Sequence, residues 1–213
     1  RTGVTATVAD LDEALRSGSA VVLATGSRPA LPGYPADCPV LPAAEFEAAV
    51  ASAGFTGAVL PIPPVLVFDP VGDGTGVGIA EQVAAAGRRT VLVTPDQVAG
   101  AQLSRTGDLA AANARLARAG VVRELHSAIR AVRAGVAELE HVWTGARRSV
   151  ECAMVIDCGY RLPDDALWRA RPRLARAGDC VAPRSLYEAV LEGRRAVATA
   201  LAPRTVPGPV PPC

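Results

Sequence analysis

Apolar residues follow two different periodicities along the chain. Short β-branched runs, Val65–Phe68 and Thr90–Val93, predict strands that are buried on both faces. The Ala-rich segment Val77–Ala86 has apolar residues three or four positions apart and precedes Gly87, which predicts a helix with a glycine at its end. Because strands and helices alternate, the pattern predicts an α/β fold with a parallel sheet.

The same criteria predict further elements on both sides of this unit. They are strands at 3–8, 20–24, 121–127, 153–158 and 174–177, a hairpin of 136–143 with 148–152, and helices at 43–53, 107–119, 163–170 and 185–200. In the last helix, the residues predicted to face inward are Leu186, Ala189, Val190 and Val197. Segment 203–213 holds five prolines and no periodic pattern, which predicts disorder.

Four glycines follow the first strand at alternate positions: Gly72, Gly74, Gly76 and Gly78. A glycine turn that opens a helix is typical of phosphate sites, because the N-terminal N–H groups are unpaired and the helix dipole favours an anion. The strict G-x-G-x-x-G spacing is not met, since Val71 and Asp73 stand where the first two glycines belong. Asp73 also brings a carboxylate near any pyrophosphate. Two interpretations therefore stay open. The turn contacts a nucleotide, or it only packs within the Rossmann layer and binds nothing.

Composition excludes several classes of function. A net charge of +1 does not indicate nucleic acid or an anionic membrane as a partner. All basic residues are arginine, which excludes a Schiff-base or Walker lysine. No apolar run reaches the ~18–20 residues of a membrane span. The five cysteines lack C-x-x-C spacing, which predicts no metal site. Their odd number without a signal peptide predicts reduced thiols and a cytoplasmic location.

Three stretches together resemble a known family. They are VVLATGSRPALPG at Val21–Gly33, the strand–turn–helix–strand unit Val65–Thr94, and AGDCVAPRSLYEAVLEGRRAVATA at Ala177–Ala200. In this order they look like the C-terminal flavin and pyridine-nucleotide half of old-yellow-enzyme-type iron–sulfur flavoproteins, the family of 2,4-dienoyl-CoA reductase and trimethylamine dehydrogenase. Segment 92–120 is also similar to a branch associated with the mycofactocin redox system.

The resemblance implies a Rossmann-like NAD(P)-binding lobe, 61–152, inserted into a partial FAD-binding Rossmann-type domain, 1–60 with 153–201, before a tail, 202–213. The family's TIM barrel with FMN, its 4Fe–4S cluster and its first βαβ unit do not occur in this sequence. The chain starts Arg1-Thr2-Gly3 without an initiator Met, so we interpret it as part of a longer polypeptide. The barrel would be its partner and would act on a small-molecule substrate, while a homo-oligomer is left open.

The resemblance also assigns residues to FAD. Ala24, Thr25 and Gly26 match the turn that passes the cofactor, where small residues let the backbone approach. Gly178 and Asp179 match the pair whose carboxylate accepts hydrogen bonds from the ribityl hydroxyls. A further pair, Ala182 and Pro183, precedes a helix whose N-terminus points at the flavin in relatives.

A second set of residues is matched to NAD(P)H. The four glycines of the turn, Gly72 to Gly78, match the second nucleotide site. Thr94 replaces the acidic residue that would bind an NAD ribose, and Arg105 is the candidate for the 2′-phosphate of NADPH. His126 and His141 have no acid or nucleophile at motif spacing, so each is interpreted as structural or exposed and no catalytic residue is assigned.

Two functions follow from these patterns. In the first, the chain binds FAD and NAD(P)H and passes electrons to the FMN-bearing barrel of an NAD(P)H-dependent flavin oxidoreductase. In the second, it is a non-catalytic nucleotide-binding or structural Rossmann module, which the misplaced glycines favour. The first requires Thr25 and Asp179 to face a common crevice.

Overall fold

A computed structural model describes residues 2–53 and 64–202, so the predicted tail at 203–213 lies outside the described residues. The chain forms two compact units, one of Arg1–Arg28 with Arg161–Cys213 and the other of Pro29–Tyr160. This division differs from the expected boundaries at 60/61 and 152/153. The reason is that the strands at 40–42 and 154–157 pair inside the sheet of the larger unit.

The elements alternate as the pattern predicts. The strands are β1 Val22–Leu23, β2 Ser27–Pro29, β3 Val40–Pro42, β4 Val65–Phe68, β5 Thr90–Val93, β6 Val122–Glu124, β7 Ser127–Arg133, β8 Val136–His141, β9 Arg147–Glu151, β10 Met154–Asp157, β11 Arg161–Pro163 and β12 Ala175–Arg176. The helices are α1 Val8–Arg16, α2 Ala43–Ala53, α3 Gly74–Ala85, α4 Leu109–Arg118, α5 Ala166–Ala170 and α6 Leu186–Leu201. Short 3-10 helices cover Ala101–Arg105 and Gly178–Cys180.

A parallel sheet of order β3-β10-β4-β5-β6 forms the centre of the larger unit. Val65 and Val67 of β4 pack with residues of α2, α3 and α4 on one face, whereas Leu66 packs with residues of β7 and β8 on the other. Successive side chains of a strand point to opposite faces, so a strand covered on both sides needs apolar residues throughout. This explains the unbroken apolar runs of β4 and β5.

The second face of this sheet is covered by an antiparallel sheet of order β7-β8-β9. The hairpin of β8 and β9 was predicted, but β7 was not. Its sequence, SAIRAVR, buries Ile129 and Val132 and exposes Arg130 and Arg133, and its regular alternation is broken by a bulge between Ile129 and Ala131. The bulge therefore obscured the strand.

Helix α3 begins at Gly74, three residues before the predicted start at Val77. Asp73 is its N-cap, and the Asp73 side chain accepts a hydrogen bond from the N–H of Thr75 at 2.8 Å. Gly87, with φ of +72°, follows the end of the helix as predicted. Gly76 and Gly78 consequently lie inside the helix and not in the turn.

The smaller unit is built from β1 paired in parallel with β12, the pair β2 and β11, and helices α1, α5 and α6. A strand at 3–8 was predicted wrongly, because Thr7 and Asp10 form a capping box that starts α1. The inward orientation predicted for Leu186, Val190 and Val197 is also wrong: within this unit they are 82%, 54% and 49% exposed. Helix α6 instead packs its other side against β12 and the 3-10 helix Gly178–Cys180.

Across the described ranges, 2–53 and 64–202, no helix has both the length and the apolar character needed to span a membrane.

Candidate functional site

In the smaller unit, the predicted turn Ala24–Gly26 and the pair Gly178–Asp179 come together. Strands β1 and β12 run in parallel, with Val22 opposite Ala175, so both segments leave the sheet at the same edge. The N–H of Ala177 donates to the carbonyl of Leu23 at 2.9 Å. One residue past the turn, Ser27 Oγ donates to Asp179 Oδ2 at 2.8 Å.

Further hydrogen bonds hold the turn in place. Arg161 donates through Nε to Ser27 Oγ at 2.8 Å and through a terminal nitrogen to the Ser27 carbonyl at 3.2 Å. Thr25 Oγ1 donates to the carbonyl of Asp164, whose own N–H donates to the carbonyl of Gly26 at 3.0 Å. Gly26 has φ of +81° and open space where a side chain would project. The backbone at Gly26 is thus fixed and open to a ligand.

The Asp179 carboxylate has capacity for a ligand. It is partly exposed, and among the described residues only Ser27 hydrogen-bonds to it. The adjoining Gly178, at φ of +75°, donates its N–H to Glu192 Oε2 at 2.9 Å, and Glu192 also pairs with Arg184. An ionised carboxyl accepts hydrogen bonds at both oxygens, so Asp179 suits a hydroxyl-bearing chain such as the ribityl group.

The segment before α6 contains the remaining predicted flavin contacts. Ala182 and Pro183 are partly exposed and precede Ser185, the N-cap of α6. Ser185 Oγ accepts from the N–H of Glu188 at 3.4 Å. The first N–H groups of any helix have no partner within the helix, and the helix dipole favours an anion there.

In the larger unit, a buried carboxyl that sequence analysis missed lies beneath the glycine turn. Asp69 follows β4 and is fully buried, and its Oδ1 accepts from the N–H of Gly72 at 2.8 Å and of Val71 at 3.2 Å. Its Oδ2 is buried without a partner among the described residues. A Cβ at Gly76 would lie 2.5 Å from Cγ of Asp69, so Gly76 is needed for packing. The signal was the acid that directly ends the apolar run VLVF.

Burial, together with the nearby carboxyls of Asp73 and Asp96, raises the pKa of Asp69 to about 7, although the hydrogen bonds from Gly72 and Val71 act to lower it. A Cβ at Gly72 would collide with the Asp96 carboxylate. Turn N–H groups that would bind a phosphate are thus occupied by Asp69 and Asp73, and three carboxyls surround the turn. A pyrophosphate fits poorly here, since like charges repel.

The other residues matched to NAD(P)H are placed as follows. Gly74 is the first residue of α3, and Gly78 lies within that helix with open space around it. Thr94 is fully buried, and its Oγ1 accepts from the N–H of Asp96 at 3.3 Å. Arg105 is exposed at the end of the 3-10 helix Ala101–Arg105. Gly72 and Gly76 therefore lie against Asp69, whereas Gly78 faces open space and Arg105 is exposed.

The two histidines, each predicted to be structural or exposed, are neighbours in the larger unit. Their ring centroids are 5.5 Å apart, and Trp143 Nε1 donates to His126 Nδ1 at 3.1 Å. His141 Nδ1 accepts from the N–H groups of Trp143 and Thr144 at 3.3 Å. Among the residues that the structure describes, no cluster of three or more His, Cys, Asp or Glu side chains is arranged to hold a metal.

No protein-family model and no curated protein matches this chain. Solved structures do match. The chain is similar to histamine dehydrogenase from Rhizobium sp. 4-9, with 26% identity over 98% of this chain and a TM-score of 0.80. It is also similar to 6-hydroxypseudooxynicotine amine oxidase from Pseudomonas geniculata N1, with 20% identity over 91% of the chain and a TM-score of 0.74. For 2-naphthoyl-CoA reductase the corresponding values are 18%, 91% and 0.69.

The chain spans 34%, 30% and 28% of these three proteins, about a third of their length. The α/β fold of Rossmann-type FAD- and NAD(P)-binding oxidoreductases is therefore confirmed, and thioredoxin reductase from T. acidophilum shares it at a TM-score of 0.61. More narrowly, the resemblance to the C-terminal FAD/NAD(P)-binding region of old-yellow-enzyme-type flavoproteins is confirmed. The mycofactocin-associated branch stays a prediction.

Proposed function

We propose that this chain is the C-terminal flavin- and pyridine-nucleotide-binding part of an NAD(P)H-dependent flavin oxidoreductase. It would pass electrons to a barrel that carries FMN and a 4Fe–4S cluster and that does not occur in this chain. The observation that carries the proposal is the hydrogen bond from Ser27 to Asp179, which joins the two segments that the resemblance assigns to FAD. The similarity to histamine dehydrogenase extends over 98% of the chain and supports it.

Each residue of the smaller unit has a defined part in this proposal. FAD would supply the electron-accepting ring system. Ala24, Thr25 and Gly26 let the backbone approach the cofactor, since the turn is open at Gly26. Asp179 accepts hydrogen bonds from its hydroxyl groups, and Ser27 with Arg161 orients that carboxylate. Ala182 and Pro183 bring the N-terminus of α6 to it.

A second candidate function concerns the larger unit, which would then be a non-catalytic or structural Rossmann lobe. The buried Asp69 favours it, because its carboxyl occupies the turn N–H groups. If the first candidate function is right, NAD(P)H contacts Gly72, Gly74, Gly76, Gly78, Thr94 and Arg105. If the larger unit is instead a structural lobe, reduction of the flavin does not need these residues.

The wider setting is proposed on the same basis. The matched region is about a third of the similar structures, so the partner would be an N-terminal TIM barrel of the same polypeptide acting on a small-molecule substrate. We propose a cytoplasmic enzyme with the domain arrangement that the resemblance implies. A homo-oligomer is compatible with it.

The test uses the polypeptide extended at its amino end by the upstream coding sequence. Extracted cofactors should include FAD and FMN, and Asp179→Ala should lower FAD without changing FMN. Equal FAD in both proteins would overturn the role of Asp179, and absence of FAD from the extended protein would overturn the proposal. The 213-residue chain alone is expected to retain no FAD, because it lacks the first βαβ unit.

Oxidation of NADH and NADPH by the extended protein separates the two candidates. Turnover that falls after Arg105→Ala supports a nucleotide site in the larger unit. Reduction of the flavin by substrate with no NAD(P)H oxidation supports the structural lobe. The control is Arg118→Ala, which removes another exposed arginine of the same unit.

A further inference from the structure

A cleft opens in the larger unit at the carboxyl ends of β4 and β10. From β4 the chain adds β5 and β6 on one side of the sheet and later adds β10 on the other, so the strand order reverses between β4 and β10. In open α/β sheets, ligands bind outside the carboxyl ends of the strands at such a point. The cleft has this position, and none of the glycines of the turn lines it.

Three passages of the chain form its walls. They are the segment 30–34, the residues Phe68 and Pro70 after β4, and the residues Asp157, Gly159 and Tyr160 at the end of β10, with Ile129 as a further contact. The N–H of Ala30 donates to the carbonyl of Tyr160 at 2.9 Å, which ties two of these passages together. The cleft is thus held in shape by backbone contacts.

Two side chains at its base form a fixed pair. Tyr34 is 8% exposed, and its hydroxyl donates to Asp157 Oδ2 at 2.8 Å. The other oxygen of Asp157 accepts from the N–H of Gly159 at 2.7 Å. Burial and the neighbouring Asp157 raise the pKa of Tyr34, so its hydroxyl stays protonated and keeps donating. The ring of Tyr34 meets Phe68 edge-on, with centroids 5.8 Å apart.

Three of the residues that line the cleft are aromatic, namely Tyr34, Phe68 and Tyr160, and one is acidic. Asp157 is the one carboxylate among the described residues that line the cleft, and no arginine lines it. Aromatic faces attract cations through the ring quadrupole, and a partly desolvated carboxylate adds to that attraction. None of the described residues that line the cleft has a positively charged side chain that could bind an anion such as a phosphate.

Its size restricts the ligand further. The cleft measures about 220 Å³. An apolar cavity of about 150 Å³ admits benzene, and sites that enclose drug-sized ligands measure about 300–1,000 Å³. The cleft therefore accommodates one ring system and not a whole dinucleotide.

We propose that this cleft binds a small planar organic cation of the pyridinium class, with its ring against the aromatic side chains and its charge toward Asp157. The site needs neither the flavin contacts of the smaller unit nor the glycine turn. Loss of the proposed flavin function would therefore leave it unaffected.

The test uses the 213-residue chain and two probes of the same shape. 1-Methylnicotinamide carries a positive ring nitrogen, and 3-methylbenzamide has carbon at that position. Titration followed by calorimetry is expected to show saturable binding of the cation at least about tenfold tighter than of the neutral probe. Equal affinities, or no saturable binding of 1-methylnicotinamide, would overturn the proposal.

Asp157→Asn tests the charge while keeping the fold. The Asn carbonyl still accepts from Gly159, and its amide donates to the Tyr34 oxygen, which can accept. Binding of the cation should fall to the level of the neutral probe. Glu151→Gln, which removes an exposed carboxylate that does not line the cleft, should bind as the unaltered chain does.

A second variant keeps the proposal falsifiable if Asp157→Asn does not fold, which thermal unfolding will show. Phe68→Leu keeps an apolar side chain and the carboxylate but removes a ring face. It should weaken the cation severalfold and the neutral probe less. Unchanged cation affinity in Phe68→Leu, or equal effects of Asp157→Asn and Glu151→Gln, contradicts the assignment.

Discussion

Ser27 Oγ lies 2.8 Å from Asp179 Oδ2, although the two residues are 152 positions apart. The serine hydroxyl donates to this carboxylate and accepts from Arg161 Nε, so it links three segments of the smaller unit. Parallel pairing of β1 with β12 sets this distance, because both strands end at the same edge. The two sequence stretches that resemble flavin-binding segments thus form one structural feature.

Replacing Ser27 by alanine should destabilise this edge by about 1 kcal/mol, because one donor and one acceptor are lost together. Hydrogen exchange of the Ala177 N–H, which bonds to the Leu23 carbonyl, measures the local effect. Ser19→Ala, at an exposed position of the same unit, is the control and should change it little. Equal exchange in both variants contradicts a linking role for Ser27.

Asp69 is expected to make stability depend on pH. Its native pKa is about 7, against 3.8 for the ordinary carboxyl, so the native protein binds this proton more tightly than the unfolded chain. The resulting stabilisation is complete below about pH 4 and is lost as pH rises through about 7. A difference of about three pKa units corresponds to roughly 4 kcal/mol.

Asp69→Asn removes this dependence, because the amide is neutral at every pH and still accepts from Val71 and Gly72. The free energy of unfolding of the variant should therefore rise relative to the unaltered chain between pH 4 and pH 8. Urea titrations across this range measure the difference. If the free energies of unfolding of the two proteins changed with pH in parallel, the prediction would be wrong and Asp69 would have an ordinary carboxyl pKa.

Two glycines of α3 offer a matched pair of substitutions. Gly76→Ala places a Cβ 2.5 Å from Cγ of Asp69 and should destabilise by about 1–3 kcal/mol. Gly78→Ala meets nothing within 4 Å and should stabilise by up to about 1 kcal/mol, since alanine is the better helix former. Thermal unfolding compares them, and effects of the same sign would contradict the packing.

Two leucines of the smaller unit differ in burial. Leu23 is 5% exposed and Leu186 is 82% exposed. Leu23→Ala should cost about 2–5 kcal/mol, whereas Leu186→Ala should stay within about 0.5 kcal/mol. Urea unfolding of the 213-residue chain measures both. If Leu186→Ala lowered the free energy of unfolding as much as Leu23→Ala, Leu186 would be buried, as the periodicity of α6 predicts.

The sequence by itself determined the α/β class and several elements to the residue: α2, β4 and β5 have the predicted bounds. Strands covered on both faces need unbroken apolar runs, and Gly87 marks a helix end, so local chemistry is sufficient there. The resemblance likewise needed only ordered motifs, and the similar structures confirm it.

Tertiary structure alone decided how those pieces are used. Pairing of β10 with β3 on one side and with β4 on the other joins segments far apart in sequence, which no local pattern specifies. The amphipathic pattern of α6 shows that one face is apolar but not whether another element covers it. Asp69 and Asp157 are ordinary acids in the sequence. One reaches the glycine turn and the other the Tyr34 hydroxyl because parallel strands place their carboxyl ends at one edge.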